Sequence, residues 1–235
     1  LTGALQIERS KDITVEDCTF RHTGGHAIRL TQGVENSTVK NCVMSNLGGG
    51  GIYLGEMERF EDDRRSGNCV IADNAMIGLG RLHPAAVGIW VGQNPNNVIR
   101  GNWIEDGYYT GISVGWSWGY GPSGSRDNVI ENNTMSGLGH RVMSDMGGIY
   151  TLSPSPGTII RGNRINDVQG YSYGGWGIYP DEGSSEMLIE KNVVWNTRSE
   201  GFHVHYGKNN TVRNNVFAYG LETQVRRSRG EDRLS

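Results

Sequence analysis

The sequence is poor in cysteine, in net charge and in long apolar runs, and each shortage removes a class of protein. Three cysteines, Cys18, Cys42 and Cys69, are too few and too irregularly spaced for a disulfide framework. No Cys-x-x-Cys or Cys/His cluster has the spacing of a zinc site. Their redox compartment stays open, and burial rather than chemistry is the expected role of Cys18 and Cys42. A formal net charge of −3 leaves no basic excess for a nucleic-acid backbone. No run approaches the roughly 18 apolar residues of a membrane span, and the first residues form neither a basic n-region nor an apolar h-region. The expectation is a soluble chain with no visible address and with neither nucleic acid nor membrane as partner; its oligomeric state is unreadable. No window sustains a 3.6-residue hydrophobic period, so helix is nearly excluded.

What the chain does have is glycine, 36 of 235 residues, without a Gly-x-y period, and 20 asparagines, which prefer turns to helix interiors. The asparagines are periodic. A phrase, aliphatic-x-x-Asn-x-apolar, recurs eight times, its fourth position falling at Cys18, Cys42, Asn74, Asn102, Asn133, Asn163, Asn192 and Asn215 in steps of 24, 32, 28, 31, 30, 29 and 23 residues. A second phrase follows most copies, as in Gly88-Ile89-Trp90-Val91, Gly148-Ile149-Tyr150-Thr151 and Gly201-Phe202-His203-Val204. Each repeat thus holds two short alternating segments between Gly/Asn/Asp turns. Strands this short at a period under about 35 predict an all-β fold, a right-handed parallel β-helix of about eight coils over residues 1–235. The leucine pattern of a horseshoe and the Trp-Asp signature of a propeller are both missing. Stacked coils put like residues over one another, so the asparagines are expected to form an amide ladder that Cys18 and Cys42 continue as small buried residues. The chain opens nearly inside a coil at Leu5-Gln6-Ile7 and closes at Glu231-Asp232-Arg233-Leu234-Ser235 without a polar cap, from which a piece of a longer solenoid is expected.

Strand alternation then gives directions. With Ile52, Ile89, Ile112, Ile149, Ile178 and Phe202 inward, the next residues form an outward column: Arg29, Tyr53, Trp90, Ser113, Tyr150, Tyr179 and His203. Two positions further runs a second: Thr31, Gly55, Gly92, Gly115, Leu152, Asp181 and His205. A solvent-facing wall with so many aromatics reads as a binding surface. The longest inter-strand segments flank it and carry Trp116, Trp118, Tyr120, His83, His140, Arg141, Asp145, Tyr171, Tyr173 and Trp176, the expected walls of a groove. Aromatic faces beside carboxylates suit a sugar. Hydrolysis of a glycosidic bond takes two carboxyl groups, and Asp145, just before the second strand of one coil, falls level with Asp181 and Glu182, just after the second strand of the next. His203 and His205 stack near Tyr179 and Asp181, where they would hold a carboxylate ionised or bind a hydroxyl. Glu105, Asp106 and Glu200 are reserve carboxylates. No metal and no cofactor is expected, with a structural calcium at the acidic turn of Asp181 and Glu182 a minor candidate. A lyase or uronate epimerase would need cationic groups, for which Arg29, Arg141, Arg161 and Lys208 are available, but no compact Lys/Arg pair joins the columns beside Asp181, which favours hydrolysis. A non-catalytic carbohydrate-binding or adhesin solenoid is the alternative from outside enzymology.

The stretches Asp145-Met-Gly-Gly-Ile-Tyr150, Tyr173-Gly-Gly-Trp-Gly-Ile-Tyr-Pro-Asp-Glu-Gly-Ser184 and Gly201-Phe-His-Val-His-Tyr-Gly-Lys-Asn-Asn210 resemble the right-handed β-helix carbohydrate-active enzymes, most closely glycoside hydrolase family 141, which includes α-L-fucosidase and xylanase activities on plant polysaccharides. The resemblance is specific over about residues 128 to 235 and generic before. It implies paired acidic catalysis by Asp145 with Asp181 or Glu182, strand parity favouring Asp181, and a sugar pocket lined by His203 and His205. The column and its flanking segments add Tyr150, Tyr179, Trp90, Tyr53, Trp116, Trp118, Tyr173 and Trp176 as expected aromatic contacts. A polymeric substrate implies a secreted or periplasmic home.

Overall fold

The computed structural model describes residues 1–229, and among these every regular element is a β-strand. The strands stack in parallel into three sheets. One has nine strands, from Gly3–Glu8 to Val225–Arg229; the other two have eight each, from Thr14–Glu16 to Thr211–Arg213 and from Thr19–Arg21 to Val216–Ala218. Each strand pairs with its counterparts in the coils above and below, which is the parallel β-solenoid that the repeat implies.

Each coil therefore has three strands where the phrases suggest two segments. The Asn phrase is two strands joined at a corner: Ile71 lies in Val70–Ala72 and Met76 in Ala75–Leu79. One residue turns the corner. The position just before each ladder residue has positive φ in every coil, at Asp17, Asn41, Asp73, Gly101, Asn132, Gly162, Lys191 and Asn214. Glycine, Asn and Asp tolerate that left-handed conformation best, so the corners account for part of the unusual composition.

The ladder residue then secures the corner. Asn74 Nδ2 donates to Asn102 Oδ1 at 2.9 Å, Asn102 to Asn133 at 2.9 Å, Asn133 to Asn163 at 3.0 Å, Asn163 to Asn192 at 3.0 Å and Asn192 to Asn215 at 2.9 Å. Each amide also donates to a carbonyl one coil earlier, as Asn133 does to Ile99 O. Cys42 is buried below Asn74 and its N–H donates to Asn74 Oδ1. Cys18 is exposed, contrary to the expectation of burial, because among the described residues only the coil of Cys42 packs against its own. A second ladder, unforeseen from the sequence, runs from the Cys69 N–H through Asn97 and Asn128 to Thr158.

Inside the coils the aliphatic columns meet. Ile28, Ile52, Ile89, Ile112, Ile149, Ile178 and Phe202 stand in one register column and pack against Ile71, Ile99, Ile130, Ile160 and Ile189 and against Met76, Ile104, Met135, Ile165 and Val194, all of them buried. Glycine before the inward Ile makes room for this packing. A Cβ on Gly148 would lie 2.4 Å from Ile165 Cγ2, and one on Gly177 would lie 2.2 Å from Val194 Cγ1. The nine-stranded sheet thus sits close on the core and turns its other face, with the outward columns, to the site.

Candidate active site

The outward column forms as parity requires: Arg29, Tyr53, Trp90, Ser113, Tyr150 and Tyr179 are register partners in successive coils. It is not an open wall, however. Tyr53 stacks on Trp90 with centroids 4.0 Å apart, Trp116 bridges Trp90 and Tyr150, Tyr150 meets Tyr179 edge-on at 5.0 Å, and Trp176 leans against Tyr179 at 45° and stacks on His203. Trp90, Tyr150, Trp176 and Tyr179 are buried, and the last three join Leu152 in a small second core. The expectation of a solvent-facing aromatic surface is corrected accordingly: large rings at a spacing near 4.8 Å bury one another, leaving edges and polar tips for a ligand.

Those tips converge on the acids. Tyr150 Oη donates to Asp181 Oδ2 at 2.6 Å, and Tyr179 Oη donates to Asp145 Oδ1 at 3.0 Å. The bonds cross between coils, since Tyr150 shares a coil with Asp145 and Tyr179 shares one with Asp181. His205 Nδ1 lies 2.8 Å from Asp181 Oδ1, so both oxygens of Asp181 are engaged. Tyr109 Oη donates to the Asp145 carbonyl at 2.8 Å and fixes the backbone there, where Asp145 is left-handed at φ 55°. Burial, and next the charge of Asp181, push the Asp145 carboxyl above the usual carboxylate range, against the opposing hydrogen bond from Tyr179 and the charge of His205. Burial and the same two carboxylates keep both phenols protonated, as donors.

Asp145, Asp181 and Glu182 open into one cavity of about 460 Å³, together with Trp118, Tyr173, Trp176, Tyr179, His203 and His205. Glu182 is half-buried and follows Asp181 in a turn closed by Gly183 at φ 80°, where a Cβ would strike the Gly119 carbonyl at 1.8 Å. That contact holds the acidic turn against the loop carrying Trp118, which is exposed, as is Tyr173. Tyr53, Trp90 and Trp116 do not share this cavity. They line another of about 310 Å³ with His26, Arg29 and His83, several coils away.

The remaining sequence candidates divide. Glu200 lies in the cavity, 1% exposed, and accepts from the Trp176 indole N–H and from His203 Nδ1 at 3.0 Å. Asp106 pairs instead with Arg81 and His140, Glu105 accepts from Trp103 and Arg161 pairs with Glu131; none of these lines the cavity. Arg226, unforeseen, reaches Glu200 Oε1 at 3.4 Å and Glu222 Oε2 at 3.4 Å. Arg229 and Ser228 line the cavity as well. The expectation that no pair of cations joins the columns beside Asp181 is therefore corrected: Val225–Arg229 stacks on Phe202–His205 with Arg226 opposite His203 and Arg229 opposite His205. The signal was the run Arg226-Arg227-Ser228-Arg229, which carries neither repeat phrase.

Among solved structures, the chain is similar to a glycoside hydrolase at 20% identity and a TM-score of 0.78, over 99% of this chain and 39% of that one. It is similar to PfbA, a surface adhesin of Streptococcus pneumoniae, at 15% identity and 0.66, over 97% and 62%, and to a tailspike protein of E. coli bacteriophage HK620 at 16% identity and 0.66, over 94% and 42%. The chain thus spans about two-fifths of the length of the glycoside hydrolase and of the tailspike, and likeness at such identity speaks to the fold. No curated protein matches. The model of the right-handed β-helix region matches residues 2–118 and 119–225, nearly the whole chain, and the parallel three-sheet winding agrees with it: the protein belongs to the right-handed β-helix family.

Proposed function

We propose that the protein is a glycoside hydrolase, similar to family 141, that cleaves a complex plant-type polysaccharide outside the cytoplasm, in a secreted or periplasmic setting. The observation that carries the reading is the crossed pair Tyr150–Asp181 and Tyr179–Asp145, which holds two carboxyl groups from neighbouring coils in one open cavity. Their surroundings differ in the way acid and base chemistry requires. Asp145, its carboxyl lifted by burial and by Asp181, donates the proton to the leaving oxygen. Asp181, bonded through both oxygens to Tyr150 and His205, serves as base or nucleophile. Glu182, which lines the cavity, and the rings of Trp118 and Tyr173 contact the sugar. Asp145→Asn and Asp181→Asn, each assayed by reducing-sugar release on a polysaccharide panel, are expected to lose about 10² to 10⁴-fold in rate. Cleavage by both variants at the unaltered rate overturns the assignment.

Arg226 and Arg229 favour a second reading, elimination on a uronate, because cations beside Asp181 can neutralise a substrate carboxylate. Unsaturated, ultraviolet-absorbing products would establish it in place of hydrolysis.

A further inference from the structure

Beside the aspartates the same cavity holds a second constellation. Glu200 Oε2 lies 3.0 Å from His203 Nδ1, and His203 Nε2 lies 3.0 Å from Ser228 Oγ. An ionised carboxylate only accepts, so Nδ1 carries the imidazole proton and Nε2 is left to accept from the serine hydroxyl. The ring is fixed in that plane by Trp176, stacked on it at 4.4 Å and 20°, whose indole N–H also holds Glu200. Glu200 and His203 are buried, whereas Ser228 is exposed to the cavity. The backbone is shaped to bring Ser228 there. Val204 pairs with Arg227 and His205 with Arg229, so Ser228 is the extra residue of a β-bulge, a device that re-aims a side chain and is frequent beside active sites.

We propose that Ser228, His203 and Glu200 form a nucleophile, general base and orienting carboxylate for hydrolysis of an acyl ester carried on a sugar hydroxyl. The roles follow from geometry as in any such relay. Ser228 Oγ bonds to the ester carbonyl carbon as its proton passes to His203 Nε2. The bond from that carbon to the sugar oxygen breaks, and the departing oxygen takes the proton from His203. Water then gives a proton to the same nitrogen as its oxygen bonds to the acyl carbon; the bond from that carbon to Ser228 Oγ breaks, and Oγ takes the proton back from His203, leaving a carboxylic acid and free Ser228. Arg229, which lines the cavity next in sequence to Ser228, supplies positive charge for the oxyanion. Burial, the largest influence on His203, keeps its imidazole neutral and able to accept. Only the identity of the ester's carrier rests on the glycosidase reading; the relay does not.

The test is labelling of the whole chain with a fluorophosphonate, located by peptide mass, alongside hydrolysis of p-nitrophenyl acetate. Ser228 is expected to carry the label, and Ser228→Ala to lose it together with about 10³-fold in kcat/KM or more; thermal melts compare the folding of the two proteins. An unlabelled Ser228, or Ser228→Ala turning over the ester at the wild-type rate, overturns the proposal. Reducing-sugar release from a polysaccharide free of acyl groups is measured in parallel, so loss of the glycosidase reading is seen separately from loss of this one.

Discussion

Asp145, the proposed acid, also carries a stability cost. Its folded carboxyl titrates above its unfolded value because of burial and of Asp181. Between those two values the native state binds the proton that the unfolded chain has released, so stability falls as pH rises through that window and stays lower above it. Asp145→Asn keeps an acceptor for Tyr179 and has no such titration. The variant is therefore expected to gain thermal stability relative to wild type as the pH rises above the unfolded carboxyl value of about 4, and to keep that gain at higher pH, which melts across a pH series will check. Lys191 is a cost of another kind, a side chain at φ 56° in a corner position that Asp73, Asn132 and Asn214 fill elsewhere. Lys191→Asn is expected to raise stability by about 1 kcal/mol, read as a higher Tm. Asp181 could be placed from the sequence by strand parity and Asp145 by its position just before a strand of the adjoining coil, and both line one cavity. Ser228 could not be placed, since a bulge breaks the parity on which such a reading depends.

At the scale of the element, the unit is a corner rather than a strand. Three-residue strands such as Val98–Arg100 and Val129–Glu131 are far too short to persist alone, and each is defined by the left-handed residue and the ladder amide that follow it. Asn133 accepts from the Asn102 N–H and side-chain amide, and donates to Ile99 O and Asn163 Oδ1. Asn133→Ala leaves several of these buried groups unpaired and is expected to cost about 2 to 5 kcal/mol. Asn215→Ala, in the half-buried last rung, is expected to cost less; denaturant midpoints of the two variants provide the comparison. The phrase that reveals the ladder in the sequence hides the corner within it, because one residue at positive φ leaves no gap in a hydrophobic pattern. The second ladder was illegible for a related reason: Cys69, Asn97, Asn128 and Thr158 share a place in the coil, but only the middle two share a residue type.

For the whole molecule, repetition made the architecture readable and function departs from the repetition. Eight copies of a phrase specify a parallel stack, and the stack brings Asp145 and Asp181, 36 positions apart in the chain, into one cavity. What the repeat could not convey was how far the rings would cover one another, because Trp90, Tyr150 and Tyr179 are outward by parity yet buried by their own bulk. In a stack each coil is stabilised by its neighbours. Amide hydrogen exchange is therefore expected to be slowest at central coils such as those of Ile99 and Ile130 and faster toward Thr211–Arg213, whose residues are exposed. Uniform protection along the stack would contradict that picture.

The exchange of phenols between the two acids also restricts how such a chain can evolve. A solenoid grows by duplicating a winding, and almost anywhere along this one an added turn would simply lengthen the rod. Between the strands Gly147–Leu152 and Trp176–Pro180 it would part both hydroxyls from their aspartates in a single event. At that junction lineage length variation should find no foothold.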